Sequence, residues 1–494
     1  MAFLSVAAHS MLGQVLTSLY FMDNLPQSSV LNPAFTPNYD FYFGLPIINN
    51  VNASFVSDIA LDDIYSDGDF FWNSEAGYNA FVNGLKPRSY VLTEMNTSIL
   101  NFGFAQGSSA YFHFAVTSRV DVITGIPQDL FRMNDLSIGH DLSPIEVESK
   151  WFNEYALAYS YAITDKLVLG AKVKFLAGVA ASNIVFDEFE LATGEEQWRV
   201  DVDGHANMSA AVELTNNDDG YPIDAEMMLD MEVADILDYV FTGYENPGFG
   251  FDLGAEYEII PGLKLSASVL DLGKIFWKRD LVNYEMQGDY TFDGLQDIVV
   301  VEGDDIINID ETVAENLVDT IQNQIPLGET SESFSTSLSP KVYVGAEYEF
   351  TESLSLGLLY KARFIRQDLR QNIYFNANAN FKNILSLGAN YNVGVNTQNS
   401  FGGVIGLRLS PFYLYFAADM IPGYADGGTT ISDQDGDILD LPITLPADFS
   451  AASFQVGINI ALGDRRKVAR RNAKWSGPSL LGNDTDRSST NHPF

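Results

Sequence analysis

The 494-residue chain contains no cysteine. That excludes disulfides, thiolate metal sites and cysteine nucleophiles, and it suits a protein that passes through an oxidising compartment. Long apolar runs are missing as well. Hydrophobic residues make up 46% of the chain, yet beyond the N-terminus no run reaches the roughly 18 apolar residues that a membrane helix requires. A helical membrane protein is therefore excluded. Basic residues are scarce: 27 Lys and Arg against 66 Asp and Glu leave a formal charge of −39. Like charge repels phosphate, so nucleic acid is not an expected partner. The five histidines are His9, His113, His140, His205 and His492. His140-Asp141 with Ser143 could be drawn as a hydrolase fragment, but a triad is defined by geometry and not by adjacency. No enzymatic activity is expected.

Aromatic residues are plentiful, with 24 Tyr and 34 Phe, and their placement is periodic. Between Glu154 and Phe175, Tyr155, Leu157, Tyr159, Tyr161 and Ile163 fall on one face of an extended strand, while Ala156, Ala158, Ser160 and Ala162 fall on the other. After Thr164-Asp165, Leu167, Leu169, Val173 and Phe175 alternate with Lys166, Gly170, Lys172 and Lys174. Period two with one greasy face marks a hairpin. The unit returns around Pro261-Gly262, Glu352-Ser353 and Lys382-Asn383. Repeated strands of about ten residues with alternating hydrophobicity predict a transmembrane barrel, greasy side to lipid and polar side to a lumen. The fold class expected is all-β: an antiparallel up-and-down transmembrane β-barrel of 14–16 strands, with short loop helices and a small N-terminal plug. Long and short connections alternate, as loops and turns do in such barrels. The count is sixteen if Val51–Ile59 is the first strand and every strand spans. It is fourteen if the hairpin Ser182–Leu191 with Gln197–Leu214 stands above the membrane.

Four regions follow. Residues 1–14 read as the remnant of a secretion signal lacking its charged part. Residues 15–50 form a periplasmic or plug segment, where Pro26, Pro33 and Pro37 forbid a regular helix or a central strand. Residues 51–463 are the barrel. Residues 464–494 open on a basic run, Arg465 to Arg471, and read as a disordered tail; the basic patch is either solvated or a handle for a periplasmic partner. The run Leu31-Asn32-Pro33-Ala34-Phe35 resembles the mature N-terminus of the long-chain fatty-acid transporter superfamily of outer-membrane barrels. With Phe43-Gly-Leu-Pro46, Gly248–Tyr257, Ser266–Trp277 and Phe334–Pro340, the chain looks closer still to an uncharacterised Bacteroidetes-type family related to that superfamily. The resemblance implies an outer-membrane protein of a Gram-negative cell, seated in outer-membrane lipid. It also implies passive uptake of an apolar or amphipathic small molecule. The alternative is a non-transporting barrel that serves as scaffold or partner in a secretion or surface-assembly machine.

Candidate residues follow from parity and from the resemblance. Asn32, Pro33 and Ala34 are the plug motif the resemblance implies. Lys172, Lys174, Glu256, Glu347, Asn390 and Asn392 share parity with small residues and should face the lumen, since a Lys at the bilayer midplane costs about 2–4 kcal/mol. Two loop helices are expected, at Ala225–Val240 and along Val313, Leu317 and Ile321. Asp433, Asp435, Asp437 and Asp440 resemble a calcium loop without its terminal Glu, so the choice is between a structural Ca2+ and a plain acidic loop. No other cofactor is expected. Arginine at Leu169 or Leu387 should impair assembly, while Gly170→Ser should be tolerated.

Overall fold

The computed structural model describes residues 17–463 apart from 67–68, 133–138, 193–196, 211, 217–221, 228–243, 294–300, 303–304, 307–327, 352, 367, 383, 395–398, 423–427, 430–444 and 447–450. Fourteen antiparallel staves close into a barrel. β1 comes in two pieces, Phe41–Gly44 and Val51–Ser57; β2 is Arg88–Gln106, β3 Ala110–Pro127, β4 Ile145–Ala162 and β5 Leu167–Ala192. β6 is Pro247–Ile260, β7 Leu263–Trp277, β8 Lys341–Thr351, β9 Leu354–Ile365 and β10 Asp368–Phe381. β11 is Leu385–Gly394, β12 Ser400–Leu409, β13 Phe412–Pro422 and β14 Ala451–Leu462. Each stave pairs with its neighbour in sequence, and β14 returns to both pieces of β1, so no edge is left open.

The alternation read from the sequence is the alternation of exposure. Leu157, Tyr159, Tyr161, Leu169 and Val173 lie bare on the outside, while Ala156, Ala158, Ser160, Lys172 and Lys174 are buried. One rim carries the short turns. Gly107 and Gly262 hold φ values of +67° and +85° there, a region a residue with a Cβ adopts only under strain. The other rim carries the long connections.

β5 decides the strand count. It runs 26 residues, against the 9–11 or so that cross a bilayer. Its second half pairs with Gln197–Ser209, which pairs in turn with Leu281–Asp293, as an extension beyond the long-loop rim. The hairpin stands above the barrel, and the count is fourteen. Two boundaries are corrected. Phe41–Gly44 hydrogen-bonds to β14 and β2 and is already wall, so the plug ends at Asp40 rather than at residue 50. Ala225–Met227 lie in a strand, Pro222–Met227, and not in a helix. The connection Ala60–Ser89 holds a helix that periodicity did not single out, Glu75–Gly84, whose N-cap Ser74 accepts from Gly77 N. Residues 1–14, the rest of the expected helix at 228–240, the face along Val313–Ile321, the loop from Asp433 to Asp440 and the tail 464–494 lie outside the described residues.

Candidate functional site in the plugged lumen

Residues Thr17–Asp40 run inside the barrel. The prolines prevent this segment from joining the wall, so its backbone and side chains must find partners inside. Thr17 Oγ1 and Ser18 N each donate to Asp419 Oδ2 at 2.9 Å, and Asn390 Nδ2 donates to the other oxygen at 2.8 Å. Asn24 Nδ2 donates to Ser386 Oγ at 2.9 Å, and Gln27 Nε2 to Asn459 Oδ1 at 3.0 Å. Ser29 Oγ donates to the Pro26 carbonyl at 2.7 Å, which uses its one proton. His113 Nδ1, 2.8 Å away, must then be the donor to Ser29. Apolar contacts complete the seal. Leu19, Tyr20, Leu25, Leu31 and Phe35 form one cluster with Leu270, Tyr343, Leu359, Tyr374 and Tyr415 of the wall. The Tyr20 ring stacks on Tyr343 at 5.6 Å and meets Phe35 edge-on at 5.1 Å.

The Asn32-Pro33-Ala34 corner is the most tightly seated part. Asn32 is fully buried. Its Oδ1 accepts from Ala34 N at 2.9 Å, and its Nδ2 reaches the carbonyls of Ala255 and Ala267, both at 3.3 Å. One side chain therefore makes the local turn and fastens it to β6 and β7. Beneath the corner lie Gly170 and Gly254, paired in register on β5 and β6. A Cβ on Gly170 would overlap the Pro33 carbonyl and Ala34 N, and one on Gly254 would overlap Asn32 Oδ1. Gly170→Ser is thus not the neutral change that strand parity suggested, because an inward side chain there has no space. Asn32→Ala removes the turn bond and both wall bonds. Buried groups left unpaired cost about 1–3 kcal/mol, so protease protection of the plug should fall while the barrel stays folded.

Above the plug the lumen is charged. Lys172 lies 3.2 Å from Asp252, and Lys174 reaches Asp252 at 2.7 Å and Asp271 at 2.6 Å. Asp271 sits on a bulge of β7 with φ +60°, a conformation Asp tolerates better than most residues, and its N–H donates to Asp252 Oδ1 at 2.8 Å. Arg119 on β3 holds Glu154 at 2.8 Å and Asp271 at 3.0 Å. Lys341 touches Asp271 at 3.2 Å and Glu94 at 3.5 Å, and Arg363 holds Glu94 at 2.8 Å. A cavity of about 80 Å³ remains between this layer and the plug, lined by Ser98, His113, Arg119, Lys172, Lys341 and Gln455 among others. Of the other residues singled out, Glu347 is buried and Glu256 half-buried toward the short-turn rim, near Lys264 and Glu349. Asn392 Nδ2 donates to Ser400 Oγ at 3.1 Å. Sequence reasoning missed Glu94, Arg119, Asp252, Asp271 and Arg363. Parity marks Glu94, Arg119 and Asp252, each more buried than its two chain neighbours; it does not mark Asp271, which follows buried Leu270 on the bulge, or Arg363, which follows buried Ala362. Ser143 does not engage His140; its hydroxyl donates to Asp141. Among the described residues no cluster of His, Asp and Glu could hold a metal ion.

The closed sheet, the bare apolar exterior and the filled polar interior define a transmembrane β-barrel with an internal plug. The chain belongs to the family of unknown function DUF5723, whose model matches residues 33–419. This agrees with the uncharacterised family that the N-terminal and central motifs pointed to. No curated protein matches. Solved structures similar to the chain include the Ralstonia pickettii toluene transporter TbuX, 11% identical, covering 89% of this chain and 94% of that one with a TM-score of 0.41. A Pseudomonas aeruginosa FadL homologue is 9% identical, covering 89% and 94%, with a TM-score of 0.40. The Pseudomonas putida toluene transporter TodX is 9% identical, covering 91% and 94%, with a TM-score of 0.37.

Proposed function

We propose that this protein is an outer-membrane barrel of a Gram-negative cell, serving passive uptake of an apolar or amphipathic small molecule, without a cofactor and without catalysis. The observation that carries the reading is the two-sided lumen. The plug covers an aromatic and aliphatic seam, from Leu270 and Tyr343 to Tyr413 and Tyr415, while Arg119, Lys172 and Lys174 stand on the wall beside it. A molecule with an apolar body and a polar head matches both halves once the plug yields, its head exchanging with the carboxylates that Arg119, Lys172 and Lys174 hold. Hydrogen bonds, apolar contacts and the Asp23–Lys264 pair hold the plug, and with no cysteine in the chain no disulfide does. Its attachment is reversible in principle. The likeness of Asn32-Pro33-Ala34 to the fatty-acid transporter motif supports the same reading.

The test is chemical. Barrel lacking residues 25–37 and purified in mild detergent should carry a roughly stoichiometric amphiphile identifiable by mass spectrometry, and in liposomes the intact protein should speed uptake of a fluorescent long-chain carboxylate. Lys172→Gln should lower retention of that ligand about tenfold, the equivalent of about 1.4 kcal/mol. A barrel that carries nothing and moves the probe no faster than bare lipid would favour the scaffold reading.

A further inference from the structure

The geometry points to a second closure of the lumen, independent of the plug and formed by side chains that meet from opposite walls. In a ring of fourteen staves, β2 and β9 lie seven apart, which is diametrically opposed. Glu94 on β2 nevertheless holds Arg363 on β9 at 2.8 Å. Lys341 on β8 reaches the same carboxylate at 3.5 Å, and Arg119 on β3 crosses to Asp271 on β7 at 3.0 Å. One step further from the plug, Ile365 of β9 packs in one buried cluster with Val56 of β1, Tyr90 and Leu92 of β2 and Ile123 of β3. Higher still, Arg366 spans to Glu146 of β4 at 2.9 Å. Contacts that join facing walls leave no bore between them. Glu94 and Arg363 are each 3% exposed, which places the crossing inside the protein and not in a water-filled channel.

The plug closes the lumen from the short-turn rim and this layer closes it from the long-loop rim, with the cavity lined by Ser98 trapped between. The two closures share no hydrogen bond among those described. Each can therefore open while the other stays shut, and passage along the axis requires both to open. This holds whatever the barrel carries, so it does not stand or fall with an amphipathic cargo.

The absence of native cysteine allows a direct test in the otherwise full-length chain. Ser98→Cys places one thiol in the trapped cavity, and a membrane-impermeant maleimide is applied from either face of oriented proteoliposomes. With both closures intact, labelling should be slow from both faces. Deleting residues 25–37 should admit reagent from the short-turn face, with labelling from the long-loop face at least about tenfold slower, because labelling of a buried thiol follows the fraction of molecules that are open. With the plug intact, Glu94→Ala combined with Arg363→Ala and Ile365→Ala should give the reverse sidedness. Fast labelling from the long-loop face after plug deletion alone would overturn the proposal. So would slow labelling from that face after the triple substitution in a barrel that is still heat-modifiable. If the deletion fails to assemble, the triple variant alone decides the matter.

Discussion

Arginine at Val173 or at Phe375 should nearly abolish the assembled barrel. Both side chains lie bare on the outside, at 50% and 53% exposure. Val173 is the seventh residue of β5 from the short turn, and Phe375 the seventh of β10. A strand needs about 9–11 residues to cross, so both stand near the bilayer midplane. A cation facing hydrocarbon there costs about 2–4 kcal/mol, a shift of about thirtyfold or more in the assembled fraction. The measure is the heat-modifiable band after reconstitution. The structure reorders the positions that parity alone selects. Leu169 and Leu387 also face outward, but each is the third residue of its stave. Arginine there can snorkel to the interface, where the cost is about 0–1 kcal/mol. Equal assembly of Val173→Arg and wild-type chains would remove the lipid-facing assignment of this side of the barrel.

Valine at Gly170 or Gly254 should leave a folded barrel whose plug no longer seats. Strand geometry at both positions accepts any residue, and valine favours it. What the positions lack is room, because the backbone of Pro33 and the side chain of Asn32 occupy the space of the missing Cβ atoms. Backbone cannot rotate away as a side chain can, so the plug corner must move. Overpacking of this kind costs about 1–3 kcal/mol, enough to lower plug occupancy about fivefold or more. Protease added at the short-turn rim should then cut between Leu25 and Pro37, and hydrogen exchange at Ala34 should rise. Gly84→Ser is the control: it adds a side chain where nothing lies within 4 Å of the new Cβ, and plug protection should not change. A folded Gly170→Val barrel with full protection would mean that the corner does not rest on these glycines.

Most of the wall was legible because a stave obeys a local rule. Lipid on one side and lumen on the other impose period two on each strand, so Leu157-Ala-Tyr159-Ser-Tyr161 declares its own faces wherever it lies in the barrel. An irregular segment at Asn32-Pro33-Ala34 was legible for a related reason, since proline leaves the chain few other conformations, while its place in the lumen was what the family resemblance implied. The short turns at Gly107 and Gly262 could be placed from residue type alone.

By itself the sequence determined the barrel class, the direction each stave residue faces and the irregular N-terminal segment, because backbone sterics and the bilayer act residue by residue. Only the tertiary structure decided the count of fourteen, since a strand as long as β5 reads the same whether its second half crosses lipid or stands above it. Only the tertiary structure could show that Gly170 and Gly254 form a seat for the plug and that Glu94 meets Arg363 across the lumen. Those contacts join residues more than a hundred positions apart. They depend on the diameter and register of the closed ring, and no window of sequence contains that information.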